Sequence, residues 1–337
     1  MVYIHTGEQQ LLTKHDVVYL ATTSGTTGKN KLFPVTQWMK TEPKLKYGSI
    51  IYYVTSRCAG LDLQRVFVLS YSARTERSPC GLLKGPISQH MYKYPPFILA
   101  PRSVYSLTNE QLALHVHAVF ALRDADVGRI EALMSTLVYS FWVYVEQHWS
   151  VVCDDIERGT LSINHVCHDE RDNESTVTQD DESIAQELTK LLTPNAKRAA
   201  QLRDEFASGF DNISLRVWPN LSSVRMLTSG GFALAASRLR ARYMRGVKQL
   251  SLVHAASEGF MGINTTPELD SPVYTVTIDS TVVEFIPESC IHDDEPATLS
   301  IQEVGKTQRH DAKLMTLYVS SSTVKLWNCL WELSNSL

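Results

Sequence analysis

The chain has 337 residues, of which 44% are hydrophobic and 20% are charged, and its formal net charge is −4. This length supplies enough apolar material for one large core or two modest ones. The small negative net charge gives the chain no electrostatic reason to bind nucleic acid or an anionic membrane surface.

The opening of the chain and its apolar stretches predict a soluble, cytoplasmic protein. No basic segment followed by an apolar one stands at the beginning, so no signal peptide is predicted. The longest uncharged run, from Ala132 to Val145, is shorter than the roughly 20 residues that a membrane-spanning helix needs. The six cysteines form no Cys-x-x-Cys pair and no zinc pattern, so we expect reduced thiols that lie mostly in the core.

The first part of the chain combines β-rich runs with the start signal of a helix. Asp16 to Ala21 is predicted to be a short strand before a glycine-rich loop. Thr36 is a candidate N-cap for a helix that begins near Gln37, so strand, loop and helix follow one another as in anion-binding turns. Tyr47 to Ser56 and Val66 to Tyr71 are further β-like runs.

The middle of the chain contains the longest predicted helical stretch, from Asp124 to Gly159. Apolar residues recur there at helical spacing, and Asp124 or Asp126 would start the helix. Residues 168–183 are polar and acidic. We interpret them as an exposed loop rather than as a metal site.

Strands and helices continue to alternate in the second half, which indicates an α/β fold. Val224 to Thr228 and Gln249 to His254 are predicted strands, and Ala233 to Tyr243 is a predicted basic amphipathic helix. Val273 to Ile278 and Thr281 to Ile286 have the pattern of a β-hairpin.

A loop rich in glycine and hydroxyl groups follows the first predicted strand, with the sequence Thr23-Ser24-Gly25-Thr26-Thr27-Gly28-Lys29. Its glycines allow a tight bend that brings backbone N–H groups close to a phosphate, and its hydroxyls and lysine add donors and positive charge. It is not a P-loop, because only two residues separate the glycines and Asn30 follows the lysine. Its composition alone also fits an ordinary surface turn.

This loop resembles the phosphate-binding signature Thr-Ser-Gly-Thr-Thr-Gly-x-x-Lys of the adenylate-forming superfamily, which includes luciferase and the acyl-CoA synthetases. Two later loops, Thr228–Gly231 and Ala255–Gly259, resemble the adenine-facing segments of that superfamily. The resemblance implies that Lys29 and Glu258 are catalytic, that Glu258 helps to hold Mg²⁺, and that ATP is bound. The nucleotide would be contacted by Thr23, Ser24, Gly25, Thr26, Thr27, Gly28, Ser229, Gly230, Ala256 and Ser257.

Further blocks are similar to the auxin-responsive acyl-acid amido synthetases and their animal and bacterial relatives. They are Lys31–Pro34, Phe120–Asp124, Asp155–Leu161, Trp218–Leu221, Ser257–Asn264 and Val283–Pro287. The resemblance implies an α/β fold with mixed sheets flanked by helices, as in the large N-terminal domain of these enzymes. It also implies a ligase that adenylates a carboxylic acid with ATP and passes the acyl group to an amino acid or amine. These blocks disfavour a plain acyl-CoA ligase.

The resemblance stops near Gly305. Family members continue into a strand and a Tyr-Arg-x-Gly-Asp motif, whose Asp holds the ribose, and then into a small C-terminal domain that supplies a lysine. Residues 306–337 contain no such motif. We therefore expect residues 1–305 to be the N-terminal domain, residues 306–337 to be a divergent tail, and the chain to be a truncated, animal-type member with impaired ligase activity. The alternative is a non-catalytic nucleotide-binding or scaffolding protein that retains the fold.

Two regions remain weaker candidates for the acid pocket. Gly85 to His90 would lie on its acyl side, although His90 fits a structural histidine better. Tyr139 and Trp142 are expected to belong to the core.

Overall fold

A computed structural model of the chain describes residues 14–23, 31–59, 65–88, 98–163, 177–256, 259–267, 273–277, 282–287, 290, 293, 297–304 and 317–320. Its helices are α1 (Gln37–Ala59), α2 (Glu110–Leu122), α3 (Ser135–Arg158), α4 (Gln179–Thr189), α5 (Ala196–Ala207), α6 (Ile213–Val217), α7 (Ala233–Arg238) and α8 (Ile301–Val304). Its strands are β1 (Val17–Thr23), β2 (Lys31–Thr36), β3 (Arg65–Leu69), β4 (Glu76–Arg77), β5 (Leu83–Pro86), β6 (Val127–Met134), β7 (Ser223–Leu227), β8 (Lys248–Leu250), β9 (Val253–Ala256), β10 (Gly259–Asn264), β11 (Tyr274–Val276), β12 (Val282–Phe285), β13 (Leu299–Ser300) and β14 (Leu317–Ser320). The fold is mixed α/β, as predicted.

The largest core lies between a parallel sheet and a layer of helices. The sheet has the strand order β3-β6-β7-β8, with all neighbouring pairs parallel. One cluster of buried side chains joins Phe67 and Ile130 of this sheet to α2, α3 and α5. Trp142 and Trp218 are fully buried in it, with ring centroids 5.4 Å apart, and Tyr139 packs against the cluster. Trp142 is therefore a core residue, as predicted.

Helix α3 ends at a position that only glycine occupies without strain. Gly159 has a φ of 69°, in the left-handed region, and its amide donates to the carbonyl of Asp155 over 2.8 Å. A Cβ at this position would lie 2.7 Å from the backbone nitrogen of Pro194. The predicted helix end at Gly159 is confirmed.

A second sheet, in the order β2-β1-β5-β4, contains the strands next to the glycine-rich loop. Strand β1 pairs antiparallel with β2 and parallel with β5. Tyr19 and Ala21 of β1 form a small apolar cluster with Phe33 and Val35 of β2. Two three-stranded sheets complete the fold, in the orders β11-β10-β9 and β13-β12-β14.

Helix α1 begins where the sequence predicts, but it extends through a segment predicted to be a strand. The amide of Met39 donates to the hydroxyl of Thr36 over 3.3 Å, which confirms the N-cap. The β prediction for Tyr47–Ser56 is wrong, because this segment is helical. Its β-branched and aromatic residues favour a strand locally, yet Tyr47 and Val54 are buried at helical spacing, so tertiary packing overrides propensity.

The predicted helix from Asp124 to Gly159 is wrong in its first part. Residues Val127–Met134 form strand β6, and the helix begins only at Ser135. The apolar spacing runs on across this boundary, which hides the change of structure. Pairing with β3 and β7 on both sides fixes the segment as a strand.

Two β predictions in the second half are also corrected. Gln249–His254 is not one strand, because β8 belongs to the parallel sheet and β9 to the next one. No glycine or proline marks the break at Ser251-Leu252. The predicted hairpin is wrong in its pairing, because the described strands β11 and β12 lie in different sheets.

The remaining predictions have mixed outcomes. Strands β1, β3 and β7 and helix α7 occur where expected, although α7 continues into a π-helical turn at Leu239–Tyr243. Residues 179–183 begin helix α4 instead of lying in an acidic loop, while residues 168–176 lie outside the described residues. Of the four described cysteines only Cys153 is buried, so their placement mostly in the core is wrong. Across the described ranges, no helix is long and apolar enough to span a membrane.

Candidate functional site

The glycine-rich loop connects two neighbouring antiparallel strands. Strand β1 ends at Thr23, β2 begins at Lys31, and these two residues are paired across the hairpin. The predicted order of strand, loop and helix is thus corrected, because β2 separates the loop from α1. The candidate residues Ser24, Gly25, Thr26, Thr27, Gly28 and Lys29 lie outside the described residues.

The segment beginning at Gly85 lies beside the strand that leads into this loop. Strands β1 and β5 are parallel, with Ala21 paired to Gly85 and Thr22 paired to Pro86, so both strands end at the same edge. The hydroxyl of Tyr19 donates to the carbonyl of Pro86 over 3.1 Å, and burial raises the pKa of Tyr19 to about 12. A Cβ at Gly85 would lie 2.7 Å from this hydroxyl oxygen. His90 lies outside the described residues.

The candidate adenine-facing turn follows strand β7. Ser229 is extended, with φ −100° and ψ 169°, and Gly230 has a φ of 60°, which favours glycine. A short 3₁₀ turn then runs over Gly230–Phe232. A Cβ built on Gly231 meets no atom within 4 Å, so the small residues leave open space on this face of the turn.

A buried serine that sequence reasoning missed anchors this turn. The hydroxyl of Ser135, at the first residue of α3, donates to the carbonyl of Phe232 over 2.6 Å. Ser135 is fully buried. The sequence placed it inside a longer helix, which concealed that it stands at a strand-to-helix junction beside β7. No local pattern identifies it, because the contact joins residues that are far apart in sequence.

The third candidate loop connects strands β9 and β10. Ala256 ends β9 and pairs with Gly259, so Ser257 and Glu258 occupy the two-residue connection between them. The prediction that Glu258 follows a strand is confirmed, because strand β9 ends at Ala256, two residues before it. Ser257 and Glu258 themselves lie outside the described residues.

The Ser229–Gly230 turn and the β8–β9 connection leave the same edge of the parallel sheet. Strands β7 and β8 are parallel neighbours, so the Ser229–Gly230 turn and the chain that continues from β8 into β9 emerge from the carboxyl ends of adjacent strands. Ligands of open α/β sheets bind outside these carboxyl ends. The structure therefore places the second candidate loop at this edge, next to the connection that leads into β9, while the third loop follows β9 in another sheet.

Helix α1, which follows the β1–β2 hairpin along the chain, packs against residues on both sides of the β9–β10 connection. The rings of Tyr47 and Phe260 stack in parallel, with centroids 5.0 Å apart. Val54 packs with Leu250 and Leu252, beyond the end of β8. The helix that follows the glycine-rich hairpin is thus packed against the strands that flank Glu258.

Polar side chains of β9 and of the β8–β9 connection contact Tyr274 of β11. Burial lowers the pKa of His254, on β9, below its ordinary value, and its ring lies 5.3 Å from that of Tyr274. The Tyr274 hydroxyl oxygen lies 3.0 Å from Ser251 Oγ. Among the residues that the structure describes, no group of three or more His, Cys, Asp or Glu side chains is placed to hold a metal.

Comparison with known proteins assigns the class of this chain. Residues 3–248 match the GH3 family N-terminal domain, so the chain belongs to the GH3 family. It is 25% identical to indole-3-acetic acid-amido synthetase GH3.3 of Arabidopsis thaliana over 88% of this chain and 50% of that protein. It is also 25% identical to indole-3-acetic acid-amido synthetase GH3.8 of Oryza sativa subsp. indica, over 82% of this chain and 46% of that protein.

Solved structures support the same fold. The chain aligns with a GH3.15 acyl acid amido synthetase in complex with 2,4-DB at a TM-score of 0.73 and 21% identity, over 88% of this chain and 51% of that one. The chain spans about half the length of the curated relatives it matches. Its fold is therefore that of the N-terminal part of these proteins, as the sequence predicted.

Proposed function

We propose that this protein is an ATP-dependent ligase that adenylates a carboxylic acid and conjugates it to an amino acid or another amine. The observation that carries the proposal is the Thr23–Lys29 signature on a hairpin of a chain that belongs to the GH3 family. The names of the relatives, indole-3-acetic acid-amido synthetases, indicate the same reaction class. The acid and the amine are small molecules.

The proposed reaction has two steps. A carboxylate oxygen of the acid attacks the α-phosphorus of ATP, and pyrophosphate leaves. The amine nitrogen then attacks the acyl carbon, AMP leaves, and the amine loses a proton. Both steps need charge neutralisation on phosphate oxygens more than they need covalent participation of the protein.

In this proposal the loop residues bind phosphate. The hydroxyls of Ser24, Thr26 and Thr27, the backbone at Gly25 and Gly28, and the ammonium of Lys29 supply the donors. Thr23 ends the strand that presents them. Lys29 balances the negative charge that develops as pyrophosphate departs, which makes it the catalytic cation.

In this proposal the Ser229–Gly230 turn at the carboxyl edge and the β9–β10 connection hold the adenine. The open space at Gly231 leaves room for a flat ring beside the Ser229–Gly230 turn. Ala256 and Ser257 would border the ring from the β9–β10 connection. The family match ends at residue 248, so the assignment of Ala256, Ser257 and Glu258 rests on the superfamily resemblance and on their position between paired strands.

The donor set fits Mg²⁺ bound together with the nucleotide. Mg²⁺ usually keeps several water ligands and shares phosphate oxygens, so one carboxylate suffices where an all-protein cage would need more. Glu258 is the proposed ligand, and the described residues offer no competing cluster of metal-binding side chains. When bound, the ion neutralises phosphate charge.

The domain boundaries and the cellular location of the chain are also proposals. We assign residues 1–305 to the adenylating domain and residues 306–337 to a divergent tail, of which Leu317–Ser320 pairs with β12 as strand β14. The proposed compartment is the cytoplasm.

Acid-dependent exchange of labelled pyrophosphate into ATP tests the proposal. The full chain would be assayed with Mg²⁺ and a panel of carboxylic acids that includes indole-3-acetic acid. We expect exchange that needs an acid, that is lost in Lys29→Ala, and that survives in the matched control Lys14→Ala, which removes an exposed lysine near the start of β1.

The same assay distinguishes the alternative of a non-catalytic protein. The observation favouring that alternative is that no Tyr-Arg-x-Gly-Asp sequence occurs in the chain. ATP binding without acid-dependent exchange for any acid would support a nucleotide-binding or scaffolding role and would refute the ligase.

A further inference from the structure

The parallel sheet and the β11-β10-β9 sheet are joined by a very short piece of chain. Strand β8 ends at Leu250 and β9 begins at Val253, so only Ser251 and Leu252 lie between them. Both of these residues are buried, and neither is a glycine or a proline that would shape a turn. The position of the β9–β10 hairpin relative to the parallel sheet therefore depends on the groups that hold Ser251 and Leu252.

One buried residue at the end of β10 holds both residues of this connection. The side chain of Asn264 is buried, and its Nδ2 donates to the carbonyl of Ser251 over 3.1 Å. The backbone amide of Asn264 donates to the carbonyl of Leu252 over 2.9 Å, and its Oδ1 accepts a bond from the amide of Thr266 over 3.0 Å. Asn264 thereby pairs with two main-chain carbonyls of the connection. We call Ser251, Leu252 and Asn264 the asparagine clasp.

The clasp requires a side chain that donates and accepts hydrogen bonds at the same time. A carboxamide does both, whereas a carboxylate at this position would turn a second acceptor toward the Ser251 carbonyl. An apolar side chain would leave both buried partners of Asn264 unpaired. Tyr274 on the neighbouring strand β11 adds a second support, because it pairs with Asn264 across the strands and its hydroxyl oxygen lies 3.0 Å from Ser251 Oγ. Two adjacent strands therefore hold Ser251.

The clasp lies at one end of the β9–β10 hairpin, and the third candidate loop lies at the other end. Strand β9 begins next to the clasp and ends at Ala256, roughly 10 Å away. Ala256 pairs with Gly259 across the hairpin, so the Ser257–Glu258 connection is at this far end. The Ser229–Gly230 turn, in contrast, follows β7 of the parallel sheet. The two parts of the proposed adenine site thus belong to different sheets, which the chain joins through the clasp.

We propose that Asn264 is a positioning residue of the nucleotide site, because it holds the β9–β10 hairpin against the parallel sheet. This inference rests on the proposed function. Asn264 acts through Glu258, whose distance from the Ser229–Gly230 turn is set by the position of the hairpin. Without the Asn264 side chain the hairpin shifts about its two-residue connection. Removing a group that orients a ligand-binding residue typically weakens binding by about 10–100-fold.

Calorimetric titration of the full chain with ATP and Mg²⁺ tests this role in a double-mutant cycle of Asn264→Ala and Glu258→Ala. We expect Asn264→Ala to weaken ATP binding roughly tenfold when Glu258 is present. In the Glu258→Ala background it should weaken binding less than about twofold, because the position of a missing carboxylate no longer matters. Tyr274→Phe removes only the hydroxyl beside Ser251 and serves as the second variant, with a smaller loss of affinity. Asn195→Ala, which removes the N-cap of α5, is the matched control and should bind ATP normally.

Two outcomes would overturn the inference and leave the proposed ligase standing, with the folding of each variant checked by circular dichroism. One is wild-type ATP affinity in both Asn264→Ala and Tyr274→Phe. The other is an equal loss of affinity for Asn264→Ala with and without the Glu258 carboxylate, which would show that Asn264 does not act through it. A folded wild-type chain that does not bind ATP would instead refute the proposed function, and this inference with it.

Discussion

The helical layer on the parallel sheet and the strands that carry the candidate loops are built differently. In the helical layer, the buried side chains of His115, Asp155 and Tyr144 form a connected network. His115 Nε2 lies 2.8 Å from Asp155 Oδ2, and the hydroxyl oxygen of Tyr144 lies 3.0 Å from His115 Nδ1. The strands β1, β2 and β5 contribute to two small apolar clusters, and the loop between β1 and β2 is rich in glycine and hydroxyl residues.

We infer from this difference that one region determines stability and the other binds ligands. Regions with many buried contacts set the stability of the whole domain, and we propose that the candidate loops instead bind the nucleotide. We therefore expect substitutions in the helical layer to lower the free energy of unfolding. Substitutions in the loops should instead change nucleotide affinity with little effect on stability.

The largest effect is expected for Asp155→Ala. The Asp155 carboxylate accepts bonds from Thr160 and from the amide and hydroxyl of Ser162, in addition to its contact with His115. Burial alone would raise the pKa of Asp155, but the bonds from His115 and Ser162 outweigh it and hold the pKa below its ordinary value. Removing one partner of such a buried network should cost about 3–5 kcal/mol in urea unfolding.

Asp154→Ala is the control for this change. Asp154 is about half exposed and pairs with Arg203 over 2.7 Å on the surface. Its loss should cost roughly 1 kcal/mol or less. Equal losses in the two variants would contradict a stabilising role for the buried network.

The second prediction concerns the loss of stability at low pH. His117 donates from Nε2 to the carbonyl of Ser70 over 2.7 Å, and burial lowers the pKa of this histidine from 6.5 to about 4. Between these pH values the unfolded chain binds a proton that the folded chain does not, so the free energy of unfolding falls as the pH is lowered. The full loss corresponds to roughly 3 kcal/mol.

Unfolding measured from pH 7 to pH 4 in wild type and His117→Phe checks this prediction. Phenylalanine keeps the ring contact with Phe67 but cannot titrate. The free energy of unfolding of His117→Phe should fall less steeply with decreasing pH than that of wild type. Part of the fall remains, because the pKa of His254 is also lowered in the folded chain. Parallel curves for the two proteins would be inconsistent with a neutral buried His117.

The third prediction tests the strand that leads into the loop. Gly85→Ala places a Cβ about 2.7 Å from the hydroxyl oxygen of the buried Tyr19, so the Tyr19 ring or the strands around it must shift. We expect a loss of about 1–3 kcal/mol. Combining it with Tyr19→Phe removes the clashing oxygen, so the double variant should be more stable than Gly85→Ala alone. If the double variant is no more stable than Gly85→Ala, the clash is relieved elsewhere.

The smallest stability change is expected for Ser135→Ala. The lost bond to the Phe232 carbonyl should cost about 1 kcal/mol. Under the proposed function the freed Gly230–Phe232 turn should also weaken ATP binding several-fold, while Thr136→Ala, at the exposed neighbouring position, should not. Unchanged ATP affinity in Ser135→Ala would show that this turn does not contribute to nucleotide binding.

Local signals predicted the parts of the fold in which one short segment determines the structure. The hydroxyl of Thr36 and the glycine at 159 identify a helix start and a helix end, because caps depend on only a few neighbouring residues. Strand β6 could not be separated from α3, since its apolar residues continue the spacing of the helix and only pairing with β3 and β7 fixes it.

The candidate site was predictable in its chemistry but not in its assembly. Glycines, hydroxyls and Lys29 mark a phosphate loop in sequence, and Glu258 follows a strand as expected. The sequence does not indicate that the Ser229–Gly230 turn shares a sheet edge with the β8–β9 connection, because that depends on strand order. Ser135 was missed for the same reason, since its partner lies 97 residues away.

Under the proposed function, this chain binds ATP through the Thr23–Lys29 loop, the Ser229–Gly230 turn and the β9–β10 connection. Calorimetric titration of the full chain with ATP and Mg²⁺ tests it most directly, beside Lys29→Ala, Glu258→Ala and the exposed control Glu187→Ala. We predict saturable binding at one site that both loop variants weaken and the control leaves unchanged. A folded wild-type chain that does not bind ATP, or loop variants that bind as tightly as wild type, would contradict the claim.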